Sequence, residues 1–402
     1  MSTRDHRDTT GISRRGFLRT GAVGVGAALV SGRFSRGLGA AETSGQKKEP
    51  SSFEKRTLGR TNLKVTVIGF GSYGFSNPGV LQRAIESGIN LILTDRTYGR
   101  GQAEKAIGQV IGKRRDRDKL VVGTGWGVSD GVKKSGLLAS LDASLKRLQT
   151  DHVDLLRAFM VGDPKVLQIE EQFEAFEAAK KAGKARFYGA SAHHPTRQLE
   201  VFEAATESDR FDYVMGRYNF MEQDKSEQFI KKLNEKNMGF VGFKISAGKR
   251  HPEIAELRES GLSFHAAAAK WALQNPSVTS ILGSMTSFEA VEEYLGAVGK
   301  KLTAAEEHML HRYREVFDSE YCRNCGTCQK HCPKGVAVAD IMRYCMYYKY
   351  YGAREEATRQ YSELPRQTRA SLCAACEGYC TVYCPHGLRV RDNLVEADTL
   401  LA

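Results

Sequence analysis

Short apolar segments alternate with longer amphipathic segments between residues 55 and 300. The apolar segments are rich in β-branched and aromatic residues and predict eight strands: Val65–Phe70, Leu91–Asp95, Leu120–Trp126, Val153–Met160, Ala185–Ser191, Tyr213–Asn219, Phe240–Ala247 and Thr279–Met285. The intervening segments show helical apolar spacing, as in Leu137, Leu138, Leu141, Leu145 and Leu148. This alternation is typical of a parallel α/β fold.

Eight strand–helix units in a row predict a TIM (β/α)8 barrel over residues 55–315. The reacting groups of such a barrel lie at the carboxyl ends of its strands. Residues 42–54 are polar and rich in Gly, Ser and Lys, so we interpret them as a linker.

Eight of the nine cysteines form two motifs near the C-terminus, and each motif ends in Cys-Pro. The first contains Cys322, Cys325, Cys328 and Cys332, and the second contains Cys373, Cys376, Cys380 and Cys384. Three closely spaced cysteines followed by a Cys-Pro is the bacterial ferredoxin spacing, in which the fourth cysteine of each motif binds the other cluster. The second motif has one additional residue between Cys376 and Cys380.

This rule predicts two [4Fe–4S] clusters in a small helical, ferredoxin-type domain over residues 316–402. Cys322, Cys325, Cys328 and Cys384 would bind one cluster, and Cys373, Cys376, Cys380 and Cys332 the other. Structural zinc sites and a disulfide framework are the alternatives. Neither alternative requires this spacing twice, so iron–sulfur clusters are favoured. Cys345 lies between the motifs in an aromatic stretch and is expected to be a buried thiol.

The N-terminus has the features of a twin-arginine signal peptide over residues 1–41. Arg14 and Arg15 precede an apolar run from Gly21 to Val30, and small residues around Ala40 offer a cleavage site. The run is too short to cross a bilayer, so no permanent membrane span is expected. We therefore expect export as a folded protein, with the twin-arginine machinery as a partner and the periplasm or another extracytoplasmic space as the destination. A disordered basic tail is the alternative.

The formal net charge of +12 overstates the charge expected for the mature protein with its clusters. Residues 1–40 contain seven arginines and two aspartates, so their removal takes away +5 and leaves +7. Two clusters, each with its four thiolates, add about −2 apiece and bring the mature protein near +3. No block of basic residues with interleaved aromatics remains, so nucleic acid is not an expected partner.

Several segments resemble the aldo-keto reductase family. Lys55–Gly71 resembles its opening hairpin and first strand, and Gly88–Gly99 its second strand and catalytic loop. Asp151–Leu156, Tyr188–Ser191 and Ser284–Leu295 resemble its fourth strand, its fifth strand, and its eighth strand with the following helix. The resemblance extends over about residues 55–395, because one branch of the family carries a C-terminal ferredoxin module. It implies a barrel that reduces carbonyls with NADPH.

The resemblance also implies a tetrad, namely a tyrosine acid supported by an aspartate, a lysine and a histidine. Only Tyr98 is retained at the corresponding positions, where Leu93, Gly125 and Phe159 replace the other three. Losing groups that help a phenol release its proton costs on the order of 4 kcal/mol, or about a thousandfold in rate. Ala192 and Tyr294 stand where the family places cofactor-contacting asparagines. Ordinary use of NADP is therefore not expected.

Other polar residues near the strand ends are candidates for the lost groups. Asp95 should share a face with Leu93 and join Tyr98 as a catalytic candidate, while Ser191 and Lys244 are candidates for cofactor binding. With Arg96, Arg157 and Arg217 they would form a basic pocket for an anionic substrate or a flavin phosphate. A buried unpaired charge is costly, so Arg157 is expected to pair with Asp95 or another acid. His193 and His194 could form a metal or proton-transfer site or be solvated.

Three functions remain open. In the favoured one, an exported oxidoreductase passes electrons through two [4Fe–4S] clusters to or from a small-molecule substrate or a flavin in the barrel. In the second, the barrel is a scaffold and the tail relays electrons between redox partner proteins. The third is an NADP-dependent carbonyl reductase with a remodelled site. An open polar cavity near a cluster would favour the first, whereas a mouth filled by Phe159, Trp126 and Leu93 would favour the second.

Overall fold

The computed structural model describes residues 53–193, 195–248 and 250–402. The predicted signal peptide and nearly all of the predicted linker lie outside these ranges, as does His194. Within them, every helix falls short of the length and apolarity that crossing a bilayer requires. The described residues belong to one compact unit.

Eight parallel strands close into a barrel, as the alternating pattern predicts. They are β3 (Ile68–Gly71), β4 (Leu91–Leu93), β5 (Val121–Trp126), β6 (Val153–Ala158), β7 (Ala185–Ala192), β8 (Tyr213–Arg217), β9 (Gly239–Phe243) and β10 (Ser280–Ser284). Neighbours in sequence are neighbours in the sheet, and β10 pairs with β3 to close the ring. A separate antiparallel hairpin, β1 (Lys55–Thr57) and β2 (Lys64–Thr66), precedes the barrel.

The strand boundaries differ from prediction in ways that affect the site. The predicted strand Val65–Phe70 is divided between the hairpin and the barrel. Strands β4, β6 and β9 end earlier than predicted, at Leu93, Ala158 and Phe243, so Asp95 and Lys244 lie in loops. Lys244 has a φ of 56°, which cannot continue a strand. Strand alternation therefore does not fix the direction of either side chain.

Helices follow the strands around the outside of the barrel. They are α1 (Pro78–Glu86), α2 (Gln102–Ile111), α3 (Lys134–Leu148), α4 (Glu170–Lys181), α5 (Pro195–Ser208), α6 (Gln223–Glu235), α7 (Ala255–Glu259), α8 (Phe264–Leu273) and α9 (Phe288–Leu295). Helix α3 buries Leu137, Leu141, Leu145 and Leu148, whereas Leu138 is only partly buried. The apolar periodicity thus identified the packed face.

Two apolar clusters fill and surround the barrel strands, and a third joins α8 to the segment around Tyr313. The larger lies between the strands and the surrounding helices. The smaller fills the barrel interior with side chains such as Leu91, Leu155 and Val241. Leu58 of the hairpin belongs to it and packs against Gly239 at the start of β9. The hairpin therefore closes the amino-terminal end of the barrel and leaves the carboxyl ends of the strands for a site.

The C-terminal region is helical, with α10 (Ala304–Phe317), α11 (Thr327–Lys330), α12 (Val338–Tyr350), α13 (Arg354–Glu363), α14 (Tyr379–Val382) and α15 (Val390–Leu401). It has an apolar core of its own, which includes Cys328, Cys373 and Cys380. Tyr347 of α12 packs on Tyr73, beyond β3, with ring centroids 4.6 Å apart. The C-terminal helices thus lie over the mouth of the barrel.

Candidate active site and cysteine clusters

A cavity of about 960 Å³ opens at the carboxyl ends of the barrel strands. Leu93 and Phe159 line its wall without filling it, and α12 and α13 contribute the opposite side. Trp126 does not face the cavity, because it packs on the outside of the barrel and its Nε1 donates to Tyr188 Oη at 2.8 Å. The volume lies within the range of small-molecule sites. The mouth is therefore open enough to hold a ligand.

Tyr98 lines this cavity from the loop after β4. Its ring makes edge contacts with Tyr73 at 5.2 Å and with Phe159 at 5.7 Å between centroids. Burial raises the pKa of Tyr98 above its ordinary value, whereas Arg157 lowers it and Asp95 raises it further. The phenol is therefore a proton donor whose strength depends on the two charged side chains beside it.

Asp95 is fully buried beside Tyr98. Its Oδ1 accepts hydrogen bonds from Thr97 N at 2.9 Å and Thr97 Oγ1 at 2.7 Å. Its Oδ2 would lie 2.6 Å from a Cβ atom at Gly125. Burial raises the pKa of Asp95 to about 6, although Arg157 and the hydrogen bonds from Thr97 lower it. Gly125, which occupies the position of the family's lysine, thus leaves room for a carboxylate that titrates near neutral pH.

Arg157 lies inside the barrel and contacts several groups of the site. Its Nη2 donates to the carbonyl oxygen of Thr94, and its guanidinium lies 5.2 Å from the centroid of Phe159. The prediction that Arg157 pairs with an acid is wrong within the described residues. There, Nε and Nη1 of Arg157 have no hydrogen-bond partner. Local backbone groups engage both side chains instead, since Asp95 Oδ1 caps Thr97 and Arg157 reaches Thr94.

His193 lines the cavity just after β7. Its ring lies 5.7 Å from Phe159 and 4.4 Å from Phe243 between centroids. Burial lowers the pKa of His193 well below its ordinary value, and the charge of Lys244 lowers it further. The imidazole is therefore neutral, and its Nδ1 has no partner within the described ranges. It can offer a hydrogen bond close to Phe159, where the family resemblance implies a histidine.

Ser191 and Lys244, the predicted cofactor-binding residues, both line the cavity. Ser191 Oγ accepts from Met160 N at 3.0 Å and donates to Ala158 O at 3.4 Å, so its hydroxyl ties β7 to the end of β6. Lys244 Nζ lies 5.1 Å from the ring centroid of Tyr347. Burial and the charges of Arg217 and Arg343 lower the pKa of Lys244 well below its ordinary value.

Arg96 and Arg217 occupy different surroundings. Arg96 lines the cavity, whereas Arg217 is buried in an ion pair with Glu222 and donates from Nη2 to Tyr321 Oη at 2.6 Å. Tyr321 directly precedes Cys322, the first cysteine of the first motif. Arg217 therefore connects the end of β8 to the cysteine region.

Sequence reasoning missed Arg343, Tyr344 and Tyr347, which line the barrel cavity from α12. No pattern in the barrel sequence points to them, because they belong to a segment more than 100 residues after β8 and join the site only through domain packing. Sequence reasoning also missed Tyr73, which lines the cavity from the loop after β3. The glycine-rich sequence of β3, directly before this loop, is a signal that could have located it.

The cysteines form two groups that match the crossed pattern expected from the spacing. Cys322, Cys325, Cys328 and Cys384 line one small cavity. Cys332, Cys373, Cys376 and Cys380 line another. All nine cysteines, which lie in the described part of the chain, are free thiols in this structure. Cys345 is buried in the C-terminal core and lines neither cavity.

The two motifs fold alike despite the additional residue in the second. Gly326 and Gly378 both precede a short helix, α11 or α14, with φ values of 70° and 82°. Counting back from the third cysteine of each motif, these glycines are equivalent, so the extra residue is Glu377, which precedes the shared turn. His331 and Tyr383, which precede the Cys-Pro residues, stack with centroids 3.7 Å apart.

Within the described residues, neither cysteine group is placed to bind a single metal ion. Among the described side chains, no three His, Cys, Asp or Glu residues are placed to share one metal ion. The thiolates of a [4Fe–4S] cluster bind four different irons and therefore stand farther apart than the ligands of one zinc ion. Burial raises the pKa of Cys322 to about 11 and of Cys328 to about 12, with neighbouring cysteines raising both. Such a group of thiolates requires a cationic partner to ionise.

Helix α12 borders both kinds of cavity. Its Met342 lines the first cysteine cavity, while Arg343 and Tyr347 line the barrel cavity. Neither cysteine cavity contains a barrel residue, and α12 contributes to the lining of the first cavity but not to that of the second. The first cysteine group is therefore the one beside the barrel cavity.

The residues around the cavity are a poor match for NADP in its usual place. Ala192 has no amide to contact a nicotinamide. Tyr294 is buried, and its ring would lie 2.8 Å from a Cβ atom at Gly283 of β10. The described residues thus do not reproduce the two asparagine contacts that the family resemblance implies.

Residues 76–252 match the family model described as "Aldo/keto reductase family". An uncharacterised oxidoreductase, YqkF, of Bacillus subtilis (strain 168) is 24% identical over 293 residues, which cover 63% of this chain and 94% of that protein. Among solved structures, a thermostable aldo-keto reductase crystallised with the inhibitor epalrestat is 25% identical with a TM-score of 0.52. That match covers 65% of this chain and 99% of the other.

The holo form of aldo-keto reductase AKR11C1 from Bacillus halodurans has the same fold, with a TM-score of 0.54 and 22% identity. It covers 65% of this chain and 96% of its own. The matched family segment ends before the cysteine motifs begin. The homologous proteins support an oxidoreductase, and the similarity to the aldo/keto reductase family lies in the barrel region of this chain.

Proposed function

We propose that this protein is an iron–sulfur oxidoreductase in which two [4Fe–4S] clusters exchange electrons with a small molecule bound in the barrel cavity. One observation carries this proposal. Helix α12 presents Met342 to the first cysteine group and Arg343 and Tyr347 to the barrel cavity. A single helix thus separates a redox site from a ligand site, an arrangement that a simple scaffold does not require.

The two groups of four cysteines defined above would hold the clusters. When bound, a cluster of this type supplies or accepts single electrons. Two electrons and two protons together convert an oxidised organic substrate, such as a carbonyl compound or a quinone, into its alcohol or hydroquinone.

The barrel residues supply the proton chemistry. Tyr98 donates one proton to the substrate oxygen, and Asp95, with a pKa of about 6, can carry its replacement. Arg157 stabilises the negative charge that develops on the phenol or the substrate oxygen. Neutral His193 donates a hydrogen bond that holds the substrate. These four residues would replace the functions of the lost tetrad members.

The first test is the metal content of anaerobically purified protein. We expect about eight irons and about eight sulfides per chain, with the absorbance of [4Fe–4S] clusters. Zinc in the absence of iron, or cysteines joined as disulfides, would contradict the proposal.

The second test separates the barrel from the clusters by using two electron acceptors. Dithionite-reduced protein is mixed either with 1,2-naphthoquinone-4-sulfonate, which takes up two electrons and two protons, or with oxidised methyl viologen, which takes up one electron and no proton. Tyr98→Phe should slow oxidation by the quinone at least tenfold, since the proton donor is lost, and leave oxidation by the viologen unchanged. Equal rates for wild type and variant with the quinone would favour the scaffold.

NADP-dependent carbonyl reduction is the second candidate function, and the family match favours it, because aldo-keto reductases usually use NADP(H). We expect NADPH to bind weakly or not at all, since Ala192 and Tyr294 replace the asparagines. A fluorescence titration decides between the two, and a micromolar dissociation constant would favour this alternative.

A flavin in the barrel cavity is compatible with its volume of about 960 Å³ and its basic lining. Absorbance after acid release of bound cofactors would detect it. A flavin would add a cofactor to the proposed function without changing the assignment of the cysteines.

Export by the twin-arginine pathway completes the proposal. Its support is the sequence of residues 1–41 alone. A variant with Arg14→Lys and Arg15→Lys should accumulate inside the producing cell, and cell fractionation with an antibody would show it. Equal distribution of wild type and variant would contradict export by this pathway.

A further inference from the structure

The charged side chains of the barrel cavity are strongly unbalanced. Seven arginine or lysine residues line it, and Glu363 is its one acidic lining residue within the described ranges. Four of the seven are already paired with acids: Arg100 and Arg359 with Glu363, Arg147 with Glu104, and Arg343 with Asp340. The remaining three, Arg96, Arg157 and Lys244, form no ion pair within the described part of the chain. The cavity therefore has excess positive charge.

Lys244 is the basic side chain with the least compensation. Its Nζ is buried and lacks any hydrogen-bond partner within residues 53–193, 195–248 and 250–402. Its backbone has a φ of 56°, a left-handed conformation that is unfavourable for a lysine. Burying an unpaired ammonium group costs still more. Lys244 thus combines an unfavourable backbone conformation with a buried, unpaired amino group at the end of a barrel strand. Such a combination is typical of a residue that contacts a ligand.

Aromatic rings connect Lys244 to Tyr98 along one wall of the cavity. Lys244 Nζ lies 5.1 Å from the ring centroid of Tyr347, which lies 4.6 Å from Tyr73, which lies 5.2 Å from Tyr98. This aromatic wall offers apolar contact to a flat ligand. One end of the wall carries a cation and the other carries the phenol.

We propose that the barrel cavity binds a small organic anion whose carboxylate or phosphate group contacts Lys244 while its apolar body lies along Tyr347 and Tyr73. This inference specifies the substrate class of the proposed function and rests on it, since the reacting end of the ligand would lie at Tyr98. Arg157 adds a second positive charge near that end, where unpaired Nε and Nη1 atoms face no described acceptor.

Binding of three matched probes to full-length holoprotein tests the inference by calorimetry. The probes are 2-naphthoate, 2-naphthyl phosphate and the uncharged 2-naphthamide. We expect at least one anionic probe to bind at least tenfold more tightly than the amide. The stronger of the two anions identifies the group that the site prefers. Equal affinity for all three, or no binding of either anion at millimolar concentration, would overturn the inference.

Lys244→Met removes the charge and keeps the length of the side chain. Affinity for the preferred anion should fall at least tenfold, affinity for naphthamide should stay unchanged, and the melting temperature without ligand should not fall, because an unpaired buried charge is removed. A lower melting temperature together with an equal loss for all three probes would show that Lys244 is structural and contradict the inference.

Two further variants serve as controls. Lys244→Arg retains the charge and should keep the preference for the anion, while Lys105→Met, on the exposed side of α2, should change nothing. The binding assay requires no electron transfer. Loss of the iron assignment would therefore leave the anion test intact, and absence of anion binding in an iron-loaded protein would leave the proposed redox function standing.

Discussion

At the residue scale, the barrel site keeps one member of the expected tetrad and rearranges the charges around it. Gly125 allows the Asp95 carboxylate to occupy space where the family resemblance places a lysine. Arg157, from the next strand, supplies the positive charge. The glycine at position 125 and the buried carboxylate of Asp95 depend on each other, because a side chain at position 125 would occupy the space of that carboxylate.

The buried carboxylate of Asp95 makes stability depend on pH. Its pKa, about 6 in the folded protein, lies above its ordinary value of 3.8, so the folded state binds the proton more tightly than the unfolded state. Stability should therefore fall as pH rises from about 4 to about 6 and stay lower above that range.

Asp95→Asn should remove this dependence and stabilise the protein at pH 7 by about 3 kcal/mol. Thermal unfolding at pH 4.5 and pH 7 measures it, with the exposed Asp118→Asn as the matched control. Destabilisation of Asp95→Asn at pH 7 would show that the carboxylate is stabilised by a partner instead.

A second prediction concerns Gly125. An alanine Cβ there would lie 2.6 Å from Asp95 Oδ2 and 3.0 Å from Phe159 Cβ, so Gly125→Ala should destabilise the protein by about 1–3 kcal/mol. Gly136→Ala is the control with the opposite sign, because Gly136 lies in α3 with nothing near its Cβ position and alanine favours helices. Melting temperatures that move in the same direction for both variants would contradict the crowding at Gly125.

At the element scale, each cysteine motif places its last cysteine in the group of the other motif. Each Cys-Pro follows a short helix and is placed beside the other motif, where His331 and Tyr383 stack. Helix α12, between the motifs, then contacts both the first cysteine group and the barrel cavity. The position of α12 therefore depends on this exchange of the last cysteines between the two motifs.

Paired cysteine variants test the crossing directly. Cys384→Ser should disrupt the cluster of the first motif, so adding Cys322→Ser should remove no further cluster. Adding Cys373→Ser to Cys384→Ser should disrupt both clusters, since Cys373 belongs to the other group. Iron analysis and electron paramagnetic resonance of the reduced proteins measure this. Retention of one cluster in the second double variant would mean that each motif binds its own cluster.

The element scale also shows how far the sequence could locate the site. Alternating apolar segments predicted all eight barrel strands, and leucine spacing predicted the buried face of α3. Strand ends were harder to predict, because the segments around Asp95 and Lys244 stay apolar after the backbone leaves the sheet. The side chains that matter most for function lie in these short extensions.

At the scale of the whole molecule, two apolar cores meet at the barrel mouth. The C-terminal core includes buried cysteines, whereas the main barrel core is made of aliphatic and aromatic side chains. The contact of Tyr347 with Tyr73, whose ring centroids lie 4.6 Å apart, joins the regions. The barrel cavity is thus covered only while the C-terminal helices are folded.

Removal of iron should therefore unfold the C-terminal helices before the barrel. We expect chelation under anaerobic, reducing conditions to lower the first melting transition and to weaken binding of the anionic probe at least tenfold, because α12 would no longer cover the cavity. Circular dichroism and calorimetry on the same sample measure both effects. Unfolding curves and affinities that match those of the iron-loaded protein would show that no metal supports this region.

The sequence by itself determined the barrel, the order of its strands and the crossed grouping of the cysteines, because apolar periodicity and ligand spacing are local properties of the chain. It also showed which tetrad residues are absent. Only the tertiary structure determined that Asp95 and Arg157 form no ion pair with each other, that Trp126 points away from the barrel interior and that α12 covers the cavity. These features arise from contacts between segments far apart in the chain, where backbone acceptors and packing space compete for the same side chains.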